Sequence, residues 1–291
     1  MIPAAFSYHA PASISDATAL LAQYGDNAKI LSGGQSLIPL MKLRLATPEH
    51  LIDINRIPDL AYVRESGGVL SIGALARESD LEESELARAR FPILLDTSKV
   101  IADPLIRNLA TVCGNLAHAD PANDHPATML VLGAELVAVG PKGERRIPID
   151  GFFVGPFTTT LGSDEILTEV RIPTPPSRSG GVYLKLERKV GDFATAAVAA
   201  QITLSAIGTC ERVGIGLTNV GPTPIKGRRA EEFLRGKRLD EGGIKQAAIL
   251  AAEESQPESD LRGSAEYKRD LIRVLTARAL RKALERAGGG R

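Results

Sequence analysis

Two loops of this chain carry residue types suited to holding an anion. In Leu31-Ser32-Gly33-Gly34-Gln35-Ser36-Leu37, two glycines and two hydroxyls follow an apolar run and precede a helical stretch. Glycine lets successive backbone N–H groups turn toward a phosphate, serine adds donors, and the following helix N-terminus adds a favourable dipole. A glycine pair of this kind also serves as a plain strand-to-helix turn, so by itself it leaves both readings open. The second loop runs from Asn108 to His125 and is long, polar and rich in small residues. There Thr111, Gly114 and Asn115 could form another phosphate cradle, and Asp124 is the kind of carboxylate that accepts ribose or ribityl hydroxyls.

Other chemistries fit poorly. His118, Asp120, Asp124 and His125 are a weak metal set, because Pro121 and Pro126 break the helix that would align them. Cys113 could be a reactive thiol, but a small buried packing residue is the favoured reading. Gly214-Ile215-Gly216-Leu217-Thr218-Asn219 lacks the third glycine of a dinucleotide fingerprint, and no Gly-Lys-Ser/Thr exists for a P-loop. The 4 histidines form no recognisable hydrolase constellation. With Cys113 and Cys210 as the only thiols, the chain can ligate no iron–sulfur cluster and carries no disulfide framework, so any redox metal must come from elsewhere.

Composition narrows the partners. The 35 Lys plus Arg balance 35 Asp plus Glu, and Trp is absent, whereas a nucleic-acid binder shows a basic excess and stacking aromatics. The longest apolar-looking stretch, Ala194 to Ile207, is interrupted by Thr195, Gln201, Thr203 and Ser205, so no transmembrane segment is expected. The opening Met1-Ile2-Pro3-Ala4-Ala5-Phe6 lacks a basic region followed by an apolar one, which points to the cytoplasm.

These loops need a scaffold, and 291 residues with 44% hydrophobic content are enough for two or three packed subdomains. Ile14, Ala17, Leu20, Leu21 and Tyr24 recur at helical spacing, with Ser13 or Ser15 as N-cap and Gly25 as stop. A strand over 28–31, a helix from Ser36 and a strand over 51–54 complete a β-loop-α-β unit. Beyond it the pattern predicts a strand over 69–72, helices over 92–101 and 125–132, and strands over 135–139 and 166–172. The Pro/Gly/Ser-rich run Pro173 to Gly181 marks the main domain boundary. Three strands follow, over 182–186, 196–204 and 212–218, and then helices, which indicates an α+β domain with an antiparallel sheet. The last helix places Tyr267, Leu271, Val274, Leu275 and Ala279 on one apolar face, leaves Arg273, Arg278 and Lys282 to solvent, and stops at Gly288 before the low-complexity Gly288-Gly289-Gly290.

Several motifs in one order make the chain resemble the FAD-binding medium subunits of molybdenum hydroxylases, the xanthine dehydrogenase family, and within it the aerobic carbon monoxide dehydrogenase type. They are Ile2-Pro3 and Tyr8-His9, Ser32 to Pro39, Ala46 to Leu51, Ile101 to Pro104 with Ile106-Arg107, and the Thr111 to Asp124 loop. Lys185 to Lys189, Gly191 to Ala196, Leu217 to Val220 and Ala265-Glu266-Tyr267 follow, so the resemblance covers nearly the whole chain. Three positions depart from the family pattern. Cys113 stands where glycine is usual, Ser32 where alanine is, and Phe193 where a tyrosine is common.

The resemblance implies an α+β protein. It comprises a two-subdomain FAD-binding α/β region of the vanillyl-alcohol-oxidase (PCMH) type over 1–176, divided at about 56/57, and a C-terminal domain over 177–291 with a three-stranded antiparallel sheet and helices. It implies non-covalent FAD, with Leu31 to Leu37 and Thr111-Val112-Cys113-Gly114-Asn115 around the diphosphate and Asp124 on cofactor hydroxyls. Ile101 and Leu161 would line the isoalloxazine, Lys185 would reach its pyrimidine edge, and Phe193 would be a cofactor-binding position without the hydroxyl that a tyrosine there supplies. Molybdopterin and [2Fe-2S] clusters would belong to partner subunits, large and small, in a dimer of heterotrimers. Electrons would pass from the clusters through FAD to an external acceptor, and any membrane association would come through the complex. The alternatives are a self-contained FAD-dependent oxidoreductase of the same fold, and a non-redox assembly protein that lost its cofactor. The glycines at 33, 34 and 114 argue against the last.

Overall fold

The computed structural model describes residues 1–288. Its first region is a small parallel sheet with two helices. β1 (Ser7–His9) and β2 (Ala28–Leu31) flank β3 (His50–Asp53), giving the order β1-β3-β2 with both pairs parallel. The crossover helices are α1 (Ile14–Tyr24) and α2 (Leu37–Lys42). Ser13, rather than Ser15, caps α1 by accepting from the Asp16 N–H, and Gly25 ends it at φ +54°. Apolar Ala17, Leu21, Ala28, Ile52 and Ile54 form its core, together with Ala74, Leu75 and Ile166 from the next region.

The second region holds β4 (Val63–Ser66), β5 (Val69–Gly73), six helices and then strands. The helices are α3 (Glu78–Glu83), α4 (Glu85–Arg90), α5 (Pro92–Lys99), α6 (Pro104–Arg107), α7 (Val112–His118) and α8 (His125–Leu132). β6 (Glu135–Gly140), β7 (Gly143–Pro148), the hairpin β8 (Phe153–Gly155) with β9 (Thr158–Thr159), and β10 (Ile166–Pro173) complete it. The sheet order is β4-β5-β10-β6-β7, and every pair is antiparallel. The alternation of helices and strands along this part of the sequence therefore builds no parallel sheet. The helices are inserted as one block between β5 and β6, and β10 returns to lie between those two strands.

The third region is a meander of β11 (Ser179–Leu186), β12 (Ala196–Leu204), β13 (Cys210–Thr218) and β14 (Ile225–Lys226), followed by α9 (Arg228–Leu234), α10 (Glu241–Glu254) and α11 (Ala265–Gly288). The sheet has four strands where three were expected, because β14 is two residues long and shows no alternation. The buried stripe of α11 also differs from expectation. It is Lys268, Ile272, Leu275, Thr276, Ala279, Leu280, Ala283 and Ala287, while Tyr267 is exposed and Leu271 and Val274 are half-buried. Small alanines let the helix backbone lie close on the sheet, and the Lys268 ammonium enters the stripe because Asp260 meets it at 2.8 Å. Arg273, Arg278 and Lys282 are exposed as expected. Gly288 is the last helical residue, and Gly289 and Gly290 lie outside the described residues.

Packing of the second region on the third sets up the site. Helix α8 is buried at every residue and lies on β13, where Gly214 and Gly216 admit it. A Cβ at Gly214 would fall 2.9 Å from the Val131 Cα, and one at Gly216 would fall 3.1 Å from the Ala127 Cα. The glycine pair that fails as a dinucleotide fingerprint is thus a packing device. It fixes the start of α8, where Asp124 stands. Among the described residues no helix is long and apolar enough to cross a membrane.

Candidate functional site

The two glycine-containing loops, 79 residues apart in sequence, meet where the Ser32 and Thr111 hydroxyls lie 3.1 Å from each other. Leu31 ends β2 and Leu37 begins α2, so the turn between them is held at both ends. Within it Gln35 donates from Nε2 to the Gly33 carbonyl and Gly34 takes φ +72°. Among the described residues, the backbone N–H groups of Gly33, Gly34, Gln35 and Ser36 donate to no protein acceptor. Four consecutive free donors with the Ser32 and Ser36 hydroxyls offer a seat for an anion.

The opposite wall begins α7. Thr111 is its N-cap and accepts from the Gly114 N–H at 3.1 Å, and Asn115 Oδ1 is buried and unpartnered. Asn123 Nδ2 donates to the Asn115 carbonyl and so ties this wall to the segment carrying Asp124. Val112 and Cys113 point the other way, into the core. The Cys113 side chain stands where a glycine was expected because the core side accepts it, with Sγ 3.8 Å from the Ile72 carbonyl. Burial pushes its thiol up, and burial likewise pushes the Cys210 thiol up to about 11. The folded protein at about pH 8 should therefore leave both thiols unmodified by iodoacetamide, whereas denatured protein is alkylated at both. Rapid alkylation of native Cys113, read by peptide mass, would contradict this burial.

A second cluster forms around Asp124. Although it occupies the N-cap position of α8, its carboxylate does not cap the helix. Oδ1 accepts from the Tyr183 hydroxyl at 2.7 Å and Oδ2 from the Lys185 ammonium at 3.0 Å. Tyr183 and Lys185 alternate on β11 and so share one face of the strand. The Lys185 side chain is 2% exposed, donates also to the Val100 carbonyl at 2.8 Å, and has Glu187 Oε2 at 3.4 Å. It is not a strand lysine facing solvent. Burial pushes the Asp124 carboxyl up, and the nearby Lys185 charge and the Tyr183 hydrogen bond oppose that shift without cancelling it.

Ile101 lies in the turn after α5 and is buried. Gly191 abuts that turn so closely that a Cβ would fall 2.8 Å from the Ala102 carbonyl, which brings the Phe193 loop beside Ile101. Phe193 is half-exposed, with the Arg262 guanidinium 5.8 Å from its ring. Leu161, after β9, is half-buried against the core of the second region. The four residues weighed as metal ligands divide three ways: His118 and Asp120 lie 4.0 Å from each other, Asp124 holds Lys185, and buried His125 is bonded to Glu78 at 2.8 Å. Among the described residues no three such groups converge on one point.

Several residues that shape the site escaped sequence reasoning. Tyr183 could have been found from its i,i+2 relation to Lys185. Asn55, Arg77 and the Val100 carbonyl leave no signal, because each acts through a partner remote in sequence.

Two facing loops with free N–H donors suit a diphosphate, and the unpartnered buried Asn115 Oδ1 suits a neighbouring hydroxyl, as in the middle of a dinucleotide cofactor. Such a seat is suited to a protein that holds a dinucleotide cofactor. A family model described as the FAD binding domain in molybdopterin dehydrogenase matches residues 4–175, and one described as the CO dehydrogenase flavoprotein C-terminal domain matches residues 181–283. The chain belongs to this family of FAD-binding subunits of molybdopterin-dependent oxidoreductases. It is 45% identical over 286 residues to the carbon monoxide dehydrogenase medium chain of Hydrogenophaga pseudoflava, covering 98% of this chain and 99% of that one. To the medium chain of Afipia carboxidovorans it is 46% identical over 287 residues, 99% of each. A solved structure of the Hydrogenophaga pseudoflava enzyme lacking the Mo-pyranopterin moiety superposes with a TM-score of 0.96 at 46% identity, covering 98% of this chain and 99% of that one.

Proposed function

We propose that this chain is the electron-transferring flavoprotein subunit of a carbon monoxide dehydrogenase-like molybdenum hydroxylase. It would take electrons from the [2Fe-2S] clusters of a small partner and deliver them to an external acceptor. The substrate would be oxidised on a large molybdopterin subunit, in a dimer of heterotrimers. The observation that carries this reading is the convergence of Ser32 and Thr111 around free backbone donors, in a chain with only two cysteines, both buried. We divide the chain accordingly into a flavin-binding region over 1–176, with subdomains of about 1–56 and 57–176, and a C-terminal region over 177–291.

In this reading Leu31 to Leu37 and Thr111 to Asn115 hold the diphosphate, whose charge the N–H groups of residues 33–36 offset. Asp124 orients cofactor hydroxyls with lone pairs not used by Tyr183 and Lys185. Ile101, Leu161 and Phe193 line the ring, and Lys185 stands at its polar edge. Bound FAD supplies a carrier that accepts and releases electrons at a potential set by its surroundings. The chain's own work is to bind, orient and shield it.

The test is purification of the full chain with its neighbours and alone. The expected result is a flavin spectrum, copurification with a cysteine-rich small chain and a large chain, and an isolated chain whose flavin dithionite reduces but carbon monoxide, aldehydes and purines do not. Substrate-dependent flavin reduction by the isolated chain would establish a self-contained oxidoreductase instead, and a colourless chain that takes up no FAD would favour the assembly protein.

A further inference from the structure

We propose that Arg77 is a positioning residue that sets the gap between the two walls of the diphosphate seat, with Asn55 as its relay; this inference rests on the function proposed above. Arg77 precedes α3 and is half-buried. One guanidinium nitrogen donates to the Leu109 carbonyl at 2.5 Å, and the other donates to Asn55 Oδ1 at 2.6 Å. Asn55 Nδ2 in turn donates to the Ser32 carbonyl at 2.8 Å. A single planar fork therefore reaches the loop before Thr111 directly and the Ser32 loop through one amide. On the first side its backbone also pairs with Thr111 in an isolated antiparallel bridge. Leu109 presents to Gly33 the same carbonyl that Arg77 holds.

The atoms chosen matter. The Ser32 carbonyl and the Gly33 N–H belong to one trans, planar peptide unit and point in opposite directions. Drawing the carbonyl toward Asn55 aims the Gly33 N–H away from it, into the seat. Asn55 is itself fixed, because its N–H and Nδ2 both donate to Asp53 Oδ1, at 2.9 and 2.6 Å, and Tyr8 donates to Asp53 Oδ2 at 2.6 Å. Apart from this relay and the Ser32–Thr111 hydroxyl contact, the first two regions share an apolar cluster that includes Ile52, Ile54, Ala74 and Leu75. Such contacts hold surfaces together without specifying direction. The fork supplies the direction, since guanidinium geometry admits two acceptors only in its own plane.

Dissociation constants of FAD and of FMN, which lacks the AMP half and the diphosphate link, separate positioning from general stability. They are measured on the full chain after flavin removal, in the wild type, Arg77→Met, Arg77→Lys and Asn55→Ala. Both Arg77→Met and Asn55→Ala should weaken FAD about 10- to 100-fold, the loss expected for misplacing donors to a charged group, and leave FMN within about two-fold. Arg77→Lys should not restore FAD binding, because an ammonium is a point charge rather than a fork. Equal weakening of FAD and FMN, or full rescue by lysine, would overturn the positioning role. Should Arg77→Met fail to fold, Asn55→Ala carries the test, since Asn55 is exposed. A wild type that binds FMN as tightly as FAD would sink the flavin-site reading and this inference together. A wild type that prefers FAD, with variants that prefer it equally, would sink the positioning role alone.

Discussion

Gly33→Val should yield a folded chain that purifies without FAD. A Cβ at position 33 would overlap the Leu109 carbonyl oxygen and fall 2.9 Å from the Ala110 Cα. Both are backbone atoms, so nothing rotates away and the two walls must part. Their separation breaks the Ser32–Thr111 contact and pulls against the Asn55–Ser32 hydrogen bond. The reason is steric proximity, since the left-handed backbone belongs to Gly34 and not to Gly33. At Gly34 a Cβ would meet side-chain ends, Ile38 Cδ1 at 2.7 Å and Leu31 Cδ1 at 3.0 Å, and the cost there adds conformational strain. Overpacking costs about 1–3 kcal/mol, which a domain with roughly 5–15 kcal/mol of stability survives. The same displacement applied to aligned donors is worth about 3 kcal/mol of binding, or about 100-fold. Flavin absorbance per chain and a thermal melt read the two effects apart. Wild-type flavin content in a folded Gly33→Val chain would make the glycine an ordinary turn residue.

What the sequence made legible depended on element length. Helix α1 displays its period, and α8 and β12, buried almost throughout, show as apolar runs, so all three were read nearly to the residue, whereas α3, α4, α6 and α7 have four to seven residues and show neither signal. β1 and β14 were invisible for the same reason, at three and two residues. Strand direction in the second region was hidden as well, because β10 joins β5 and β6 from far along the chain. Both walls of the seat could be found because glycine, serine and threonine are informative types. That they face one another could not, since the contact spans 79 residues. The family resemblance brought Lys185 and Asp124 to notice one by one, but their pairing is a tertiary fact. The burial of Cys113 was the favoured reading of its residue type, but its partners, the packing of α7 on β5 and β10 and the Ile72 carbonyl, are tertiary facts too.

That pairing changes what loss of Lys185 should do. Lys185→Met removes the one ammonium that meets buried Asp124 and leaves the carboxylate with the Tyr183 hydroxyl alone. Breaking one side of a buried pair typically costs about 3–5 kcal/mol, because the remaining charge is uncompensated. The loss should depend on pH in a definite sense. Asp124 already titrates above the ordinary carboxylate range because burial outweighs the Lys185 charge and the Tyr183 hydrogen bond that oppose it. Without Lys185 that opposition shrinks and the carboxyl moves higher still. A carboxyl raised in the folded state keeps its full stabilising contribution below the unfolded value of about 4 and loses it as pH rises through the folded value. The destabilisation of Lys185→Met should therefore be largest near neutrality and shrink as pH falls to and below about 4, where Asp124 becomes protonated in both states. Adding Asp124→Asn should recover much of the neutral-pH loss, since a neutral amide needs no cation. Urea unfolding of the wild type, Lys185→Met and the double variant across this range decides the matter. A loss that is constant with pH, and not relieved by Asp124→Asn, would mean that Lys185 contributes through the packing of its methylenes rather than through its charge.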